Sequence, residues 1–65
     1  MTKFNDMAEV TSYITSALGE FAEDFDVNAM ASDCTEWKDG KLVFTFDEEA
    51  PGEFFAIAAK YDKSN

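Results

Sequence analysis

Apolar residues recur through the first part of this chain at steps of three and four: Met7, Val10, Ile14, Ala17, Leu18, Phe21 and Phe25. That spacing follows the α-helical turn and predicts one buried stripe on an amphipathic helix over about 6–22. Asn5 is placed to act as its N-cap, because a side-chain oxygen there can accept from an orphan backbone N–H, and Asp6 and Glu9 sit where the helix dipole favours anions. Gly19 costs about 1 kcal/mol inside a helix, so it marks either close packing or an early end.

The run Asp24-Phe25-Asp26-Val27-Asn28 interrupts the helical period, and Asp26 is positioned to cap a short second helix from Val27 to Ser32 with Val27, Met30 and Ala31 facing inward. The pattern then changes. Thr35-Glu36-Trp37-Lys38 and Lys41-Leu42-Val43-Phe44-Thr45-Phe46 flank Asp39-Gly40, a dipeptide suited to positive φ at both centres of a type I′ turn, which predicts a β-hairpin. In that register Trp37 lies opposite Leu42 and Thr35 opposite Phe44, so Trp37, Leu42, Phe44 and Phe46 share a face that belongs against the helices. Pro51 is favoured at a first helical position, and Phe54, Ile57, Ala58 and Tyr61 fall on one side of a last helix over about 51–62, followed by a fraying tail from Asp62 to Asn65. The expected fold is α+β: a long N-terminal helix, a short second helix, a two-stranded antiparallel hairpin and a C-terminal helix packed on one face of it, all in one compact acidic domain spanning residues 1–65.

Charge changes what this small domain can do. Fourteen Asp and Glu stand against five Lys, with no Arg and no His, for a formal net charge of -9. A compact chain of this length has a radius of gyration of roughly 11 Å and a diameter of about 28 Å. B-DNA of that length presents roughly 16 phosphates, so the carboxylate content approaches that of a duplex fragment of equal size. Nucleic acid, phosphate-rich cofactors and anionic membrane are repelled, and a basic protein surface is the natural partner. Ten aromatic side chains, seven of them Phe, argue against disorder despite the charge. With a single cysteine there is no intrachain disulfide, and no segment resembles a signal peptide or a membrane span, which points to a cytoplasmic protein.

Catalysis is not expected in a chain that lacks His and Arg and has one thiol. Asp24, Asp26 and Asn28 match the first three ligand positions of an EF-hand loop, but Ala29 stands where the turn needs Gly and Thr35 where the bidentate Glu belongs. The segment therefore reads as a capped helix boundary; no metal and no cofactor is expected. Cys34 has neither His nor a second Cys to make a metal site, and neighbouring Asp33 and Glu36 would raise rather than lower its pKa. It reads as a small core or boundary residue.

Two acidic segments interleave charge with aromatic anchors: Glu20, Glu23, Asp24 and Asp26 around Phe21 and Phe25, and Asp47, Glu48, Glu49 and Glu53 ahead of Phe54. Glu9, Ser16, Glu20 and Glu23 fall on the solvent side of the first helix, a ladder of like charge that would let Glu9 extend the first segment. A charge run is ordinarily a solvated face, but carboxylates crowded within a ~8 Å Debye length repel one another and subtract from a small stability margin. Added salt should therefore stabilise the fold, and a function that needs the charge would explain why it is kept.

In size, charge and layout the chain resembles the small acidic inhibitors that phages and mobile elements direct against bacterial defence, in particular the anti-CRISPR proteins and other DNA mimics. The resemblance spans the whole chain and rests on no motif. It implies a monomer in the bacterial cytoplasm that binds a basic, nucleic-acid-binding surface of a CRISPR-Cas effector subunit and blocks target DNA. It carries over no residue by alignment; the acidic segments themselves point to Glu20, Glu23, Asp24 and Asp26, extended by Glu9, as one contact patch and Asp47, Glu48, Glu49 and Glu53 as another. Two alternatives are an acidic module for another basic DNA-binding host protein and an accessory protein whose charge only provides solubility.

Overall fold

The computed structural model describes residues 2–63; Ser64 and Asn65 of the expected tail lie outside them. The elements run β1 (Lys3–Phe4), α1 (Met7–Leu18), a 3-10 helix (Gly19–Asp24), α2 (Val27–Asp33), β2 (Thr35–Lys38), β3 (Lys41–Phe44) and α3 (Pro51–Lys60). The fold is α+β as expected, with one strand more than the hairpin: β1 pairs antiparallel with β3, giving the sheet order β1-β3-β2. Two residues cannot display a period, so the sequence pattern carries no trace of β1.

The hairpin has the expected register, Thr35 opposite Phe44 and Trp37 opposite Leu42, and Asp39 and Gly40 both take positive φ (53° and 79°) at the turn. The Trp37 ring, however, does not share the buried face of Leu42 and Phe44. Trp37 is 63% exposed while Leu42 and Phe44 are buried. With β1 on the far side of β3, β3 becomes the central strand and β2 an edge; the core gathers over β1 and β3 and leaves the Trp37 ring at the rim. Phe4 of β1 takes the inner place, packing edge-on against Phe44 (5.3 Å between centroids) and Tyr13 (5.6 Å). Val43, on the opposite face from Leu42, is also buried, between Lys3 and Glu36 on the flanking strands.

The core unites Val10, Ile14 and Leu18 of α1, Met30 and Ala31 of α2, Cys34, Leu42 and Phe44, with Ala58 from α3. Burial of each large member contributes roughly 1.5–3 kcal/mol. Only the i, i+4, i+8 residues of the predicted α1 stripe are buried; Met7, Ala17 and Phe21 are exposed and Phe25 is half-buried. Phe21 and Phe25 leave the stripe because α1 ends at Leu18. Gly19 takes φ 61°, ψ -133°, a conformation reserved in practice for glycine, and open space surrounds the position of its missing Cβ. Of the two meanings Gly19 could have, the early end is the one realised, and the chain past it turns Phe21 away from the stripe.

The α1 cap also differs by one residue from expectation. Asp6, not Asn5, is the N-cap, accepting from the Glu9 N–H at 3.0 Å, while the Glu9 carboxylate reaches back to the Asn5 N–H (3.3 Å) and to Asn5 Nδ2 (3.1 Å). Asn5 is needed elsewhere: its Oδ1 accepts from Lys41 Nζ across the sheet. Asp26 caps α2 as expected, accepting from the Ala29 N–H at 3.2 Å. The end of α3 is fastened rather than frayed. Asp26 N–H donates to the Tyr61 carbonyl (2.9 Å), Lys63 N–H to the Asp24 carbonyl (2.7 Å), and the Tyr61 hydroxyl to Asp33 (2.8 Å).

Candidate functional site

The 3-10 helix sets the first acidic segment. With three residues per turn, positions i and i+3 eclipse one another, so Glu20 aligns with Glu23 and Phe21 with Asp24. All four are exposed. The carboxylates of Glu20, Glu23 and Asp24 make no hydrogen bond or ion pair among the described residues, whereas Asp26, also exposed, is occupied as the α2 cap. Glu9 does not join them. The single helical ladder expected from Glu9 through Glu23 is broken at Gly19, and Glu9 stands in the first turn of α1, about 14 Å of helical rise before its last residue Leu18.

The second segment is a folded turn between β3 and α3. Asp47 Oδ1 accepts from the Glu49 N–H (2.9 Å), Glu53 Oε2 accepts from the Asp47 N–H (3.2 Å), and the half-buried Glu48 accepts from the Thr2 N–H (3.1 Å). Three of the four carboxylates therefore hold backbone. Glu49 is exposed, and its carboxylate makes no hydrogen bond or ion pair among the described residues.

Between the two segments runs an apolar groove that the sequence reading did not anticipate. One part, about 170 Å³, lies among Tyr13, Ala17, Phe44, Phe46, Phe54 and Phe55 with Glu48 at its edge. The adjoining hollow, about 470 Å³, is lined by Ala17, Leu18, Phe21, Phe25 and Phe55 with Asp24 and Asp62. Ala17 and Phe55 belong to both, so the two hollows adjoin between the α1–3-10 wall and the α3 wall. Phe21 and Phe55 are 59% and 61% exposed. Every charged residue in its lining is acidic. The sequence does hold one signal for it: Phe54 and Phe55 are adjacent on a helix and point about 100° apart, so one core face cannot bury both.

Cys34 and Tyr61, away from this surface, are tied into structure. The Cys34 thiol is buried beneath the sheet and its pKa is pushed up to about 11, chiefly by burial, with the Asp33 charge adding to it against a backbone hydrogen bond. The direction is the one expected from the neighbouring acids, but burial is the larger cause. Tyr61 is raised by its hydrogen bond to Asp33. Among the described residues no cluster of Cys, Asp and Glu side chains could hold a metal ion, and no helix is long and apolar enough to cross a membrane. No family model matches the chain, and neither a curated protein nor a solved structure is detectably similar to it.

Proposed function

We propose that this protein is an anti-CRISPR-type inhibitor: it binds a basic, nucleic-acid-binding surface of a CRISPR-Cas effector complex and keeps target DNA out by presenting fixed negative charge in its place. The observation that carries the reading is the exposed edge Glu20, Glu23 and Asp24, three unengaged carboxylates on one short helix of a domain with net charge -9. A cationic channel attracts such an edge at long range and gains affinity from close charge pairs once it docks. Glu49 offers a further carboxylate free to move. Asp26, Asp47, Glu48 and Glu53 each hold a backbone N–H, so a partner's cation must come to them. A folded polypeptide that occupies a DNA channel cannot be cleaved as DNA, and inhibition is stoichiometric.

The test is a mobility-shift assay of target DNA with a panel of purified effector complexes. Near one equivalent of the protein should abolish DNA binding by at least one complex, and the variant Glu20→Lys, Glu23→Lys, Asp24→Lys should restore it while circular dichroism stays that of the parent. Unchanged inhibition by that variant overturns the proposal. Inhibition of an unrelated basic DNA-binding protein, with every effector complex unaffected, moves the same charge chemistry to another partner and overturns the CRISPR assignment.

A further inference from the structure

We infer that the apolar groove between α1 and α3 is the seat for a cationic amphipathic helix of the partner protein, an inference that rests on the reading of this chain as a binder of basic proteins. Exposed aromatic surface rimmed by charge marks interaction sites, and here Ala17, Phe21 and Phe55 form its floor and lip with acids at both ends: Glu48 at one, Asp24 and Asp62 at the other. The acidic rim selects the occupant. A second copy of this chain would bring an identical acidic rim against the first and pair two bodies of net charge -9, so self-association is opposed. An anionic lipid surface is opposed for the same reason. Apolar anchors flanked by Lys or Arg satisfy both the aromatic floor and the acidic ends.

The lining favours a helix as the form of those anchors. A docked helix presents apolar side chains at i, i+3, i+4 and i+7 along one face, which suits aromatic hollows walled by α1 and the 3-10 helix on one side and α3 on the other. Phe21 and Phe55 then close over an apolar anchor, and the unengaged Glu20 and Glu23, which continue the 3-10 helix beside Phe21, face the cationic flank.

The probes are two synthetic peptides of about four helical turns and equal Leu and Lys content. One carries Leu at i, i+3, i+4 and i+7; the other has the same residues scrambled. Calorimetry and a 15N-edited NMR titration of the intact protein read the result. The patterned peptide should bind at least about tenfold more tightly than the scrambled one, with shifts gathered at Ala17, Phe21 and Phe55, and Phe21→Ala or Phe55→Ala should each weaken it by about tenfold. Both rings lie largely in solvent, so the variants keep the core. Equal binding of both peptides, or shifts away from the groove, overturns the inference; so does a sedimenting dimer of the parent that Phe55→Ala separates, because the groove then belongs to a second copy. In the DNA-binding assay the two ideas fail separately. Loss of inhibition on Lys reversal with full inhibition by the Phe variants leaves charge mimicry standing and removes the groove, and the converse removes charge mimicry and keeps the groove.

Discussion

In residues 20–26 the carboxylates of Glu20, Glu23 and Asp24 are exposed and make no hydrogen bond or ion pair among the described residues, while Asp26 is engaged as the α2 cap. In residues 47–53 the proportions are reversed: Asp47, Glu48 and Glu53 each hold a backbone N–H, and the Glu49 carboxylate makes no such bond among the described residues. Similar density of charge thus does two kinds of work. A carboxylate that accepts from backbone keeps its charge but loses its reach, because moving toward a partner's cation breaks a charge-assisted hydrogen bond. A free carboxylate costs the fold only repulsion and can follow a partner.

The contrast makes the two segments respond differently to substitution. The largest effect is expected on binding: reversing Glu20, Glu23 and Asp24 to Lys should weaken partner affinity at least about 100-fold, or roughly 2.8 kcal/mol, with no loss of thermal stability. A marked fall in the melting temperature would show that these side chains support the fold after all. Next is Gly19, whose backbone conformation directs the first segment outward; Gly19→Ala should destabilise by about 1–3 kcal/mol in chemical denaturation, from strain alone. An unchanged urea midpoint would mean that α1 continues through residue 19 in the variant.

Smaller effects sharpen the boundary between free and engaged acids. Asp26→Ala should cost about 1 kcal/mol by uncapping α2, and Glu48→Gln somewhat less, about 0.5–1 kcal/mol, because an amide oxygen can still accept from the Thr2 N–H without the charge. Glu20→Gln should leave stability level or raise it slightly. If Glu20→Gln and Asp26→Ala cost the same, the distinction drawn above fails. Added salt screens repulsion and should raise the melting temperature modestly.

The last effect is an alkaline one. In the unfolded chain Cys34 ionises near its ordinary 9.0, whereas in the native state the thiol holds its proton to about 11, and Tyr61 is raised in the same direction. The native state thus binds more protons across this interval. The stability this contributes is complete below pH 9.0 and is lost as pH rises through about 11. Urea midpoints measured at pH 8, 9.5 and 11 should fall in that order, and less steeply in Cys34→Ala; a rising midpoint would reverse the sign assigned to burial.

Much of the local structure was legible because its causes lie within a few residues. The α2 cap at Asp26, the Asp39-Gly40 turn with its register, and the start of α3 at Pro51 all follow from side-chain and backbone preferences acting at close range. The displaced α1 cap shows the limit of that reasoning: Asn5 and Asp6 are equally suited to the role, and a lysine 36 positions away, Lys41, engages Asn5. The candidate site was legible as charge and not as arrangement. Nothing local separates Glu20, which is free, from Glu48, which reaches Thr2 across 46 residues of chain.

By itself, the sequence determined an acidic α+β domain, its helices and hairpin, and the excess of carboxylates that any partner must meet, since periodicity, capping, turn chemistry and net charge are properties of neighbours and sums. Tertiary structure decided which aromatic rings are core and which are surface. Phe4 entered the sheet and displaced Trp37 to its rim, and the separation of α1 from α3 left Phe21 and Phe55 along an open groove. Burial of a ring depends on what crosses over it from distant parts of the chain, and a hydrophobic pattern records only that a ring is apolar.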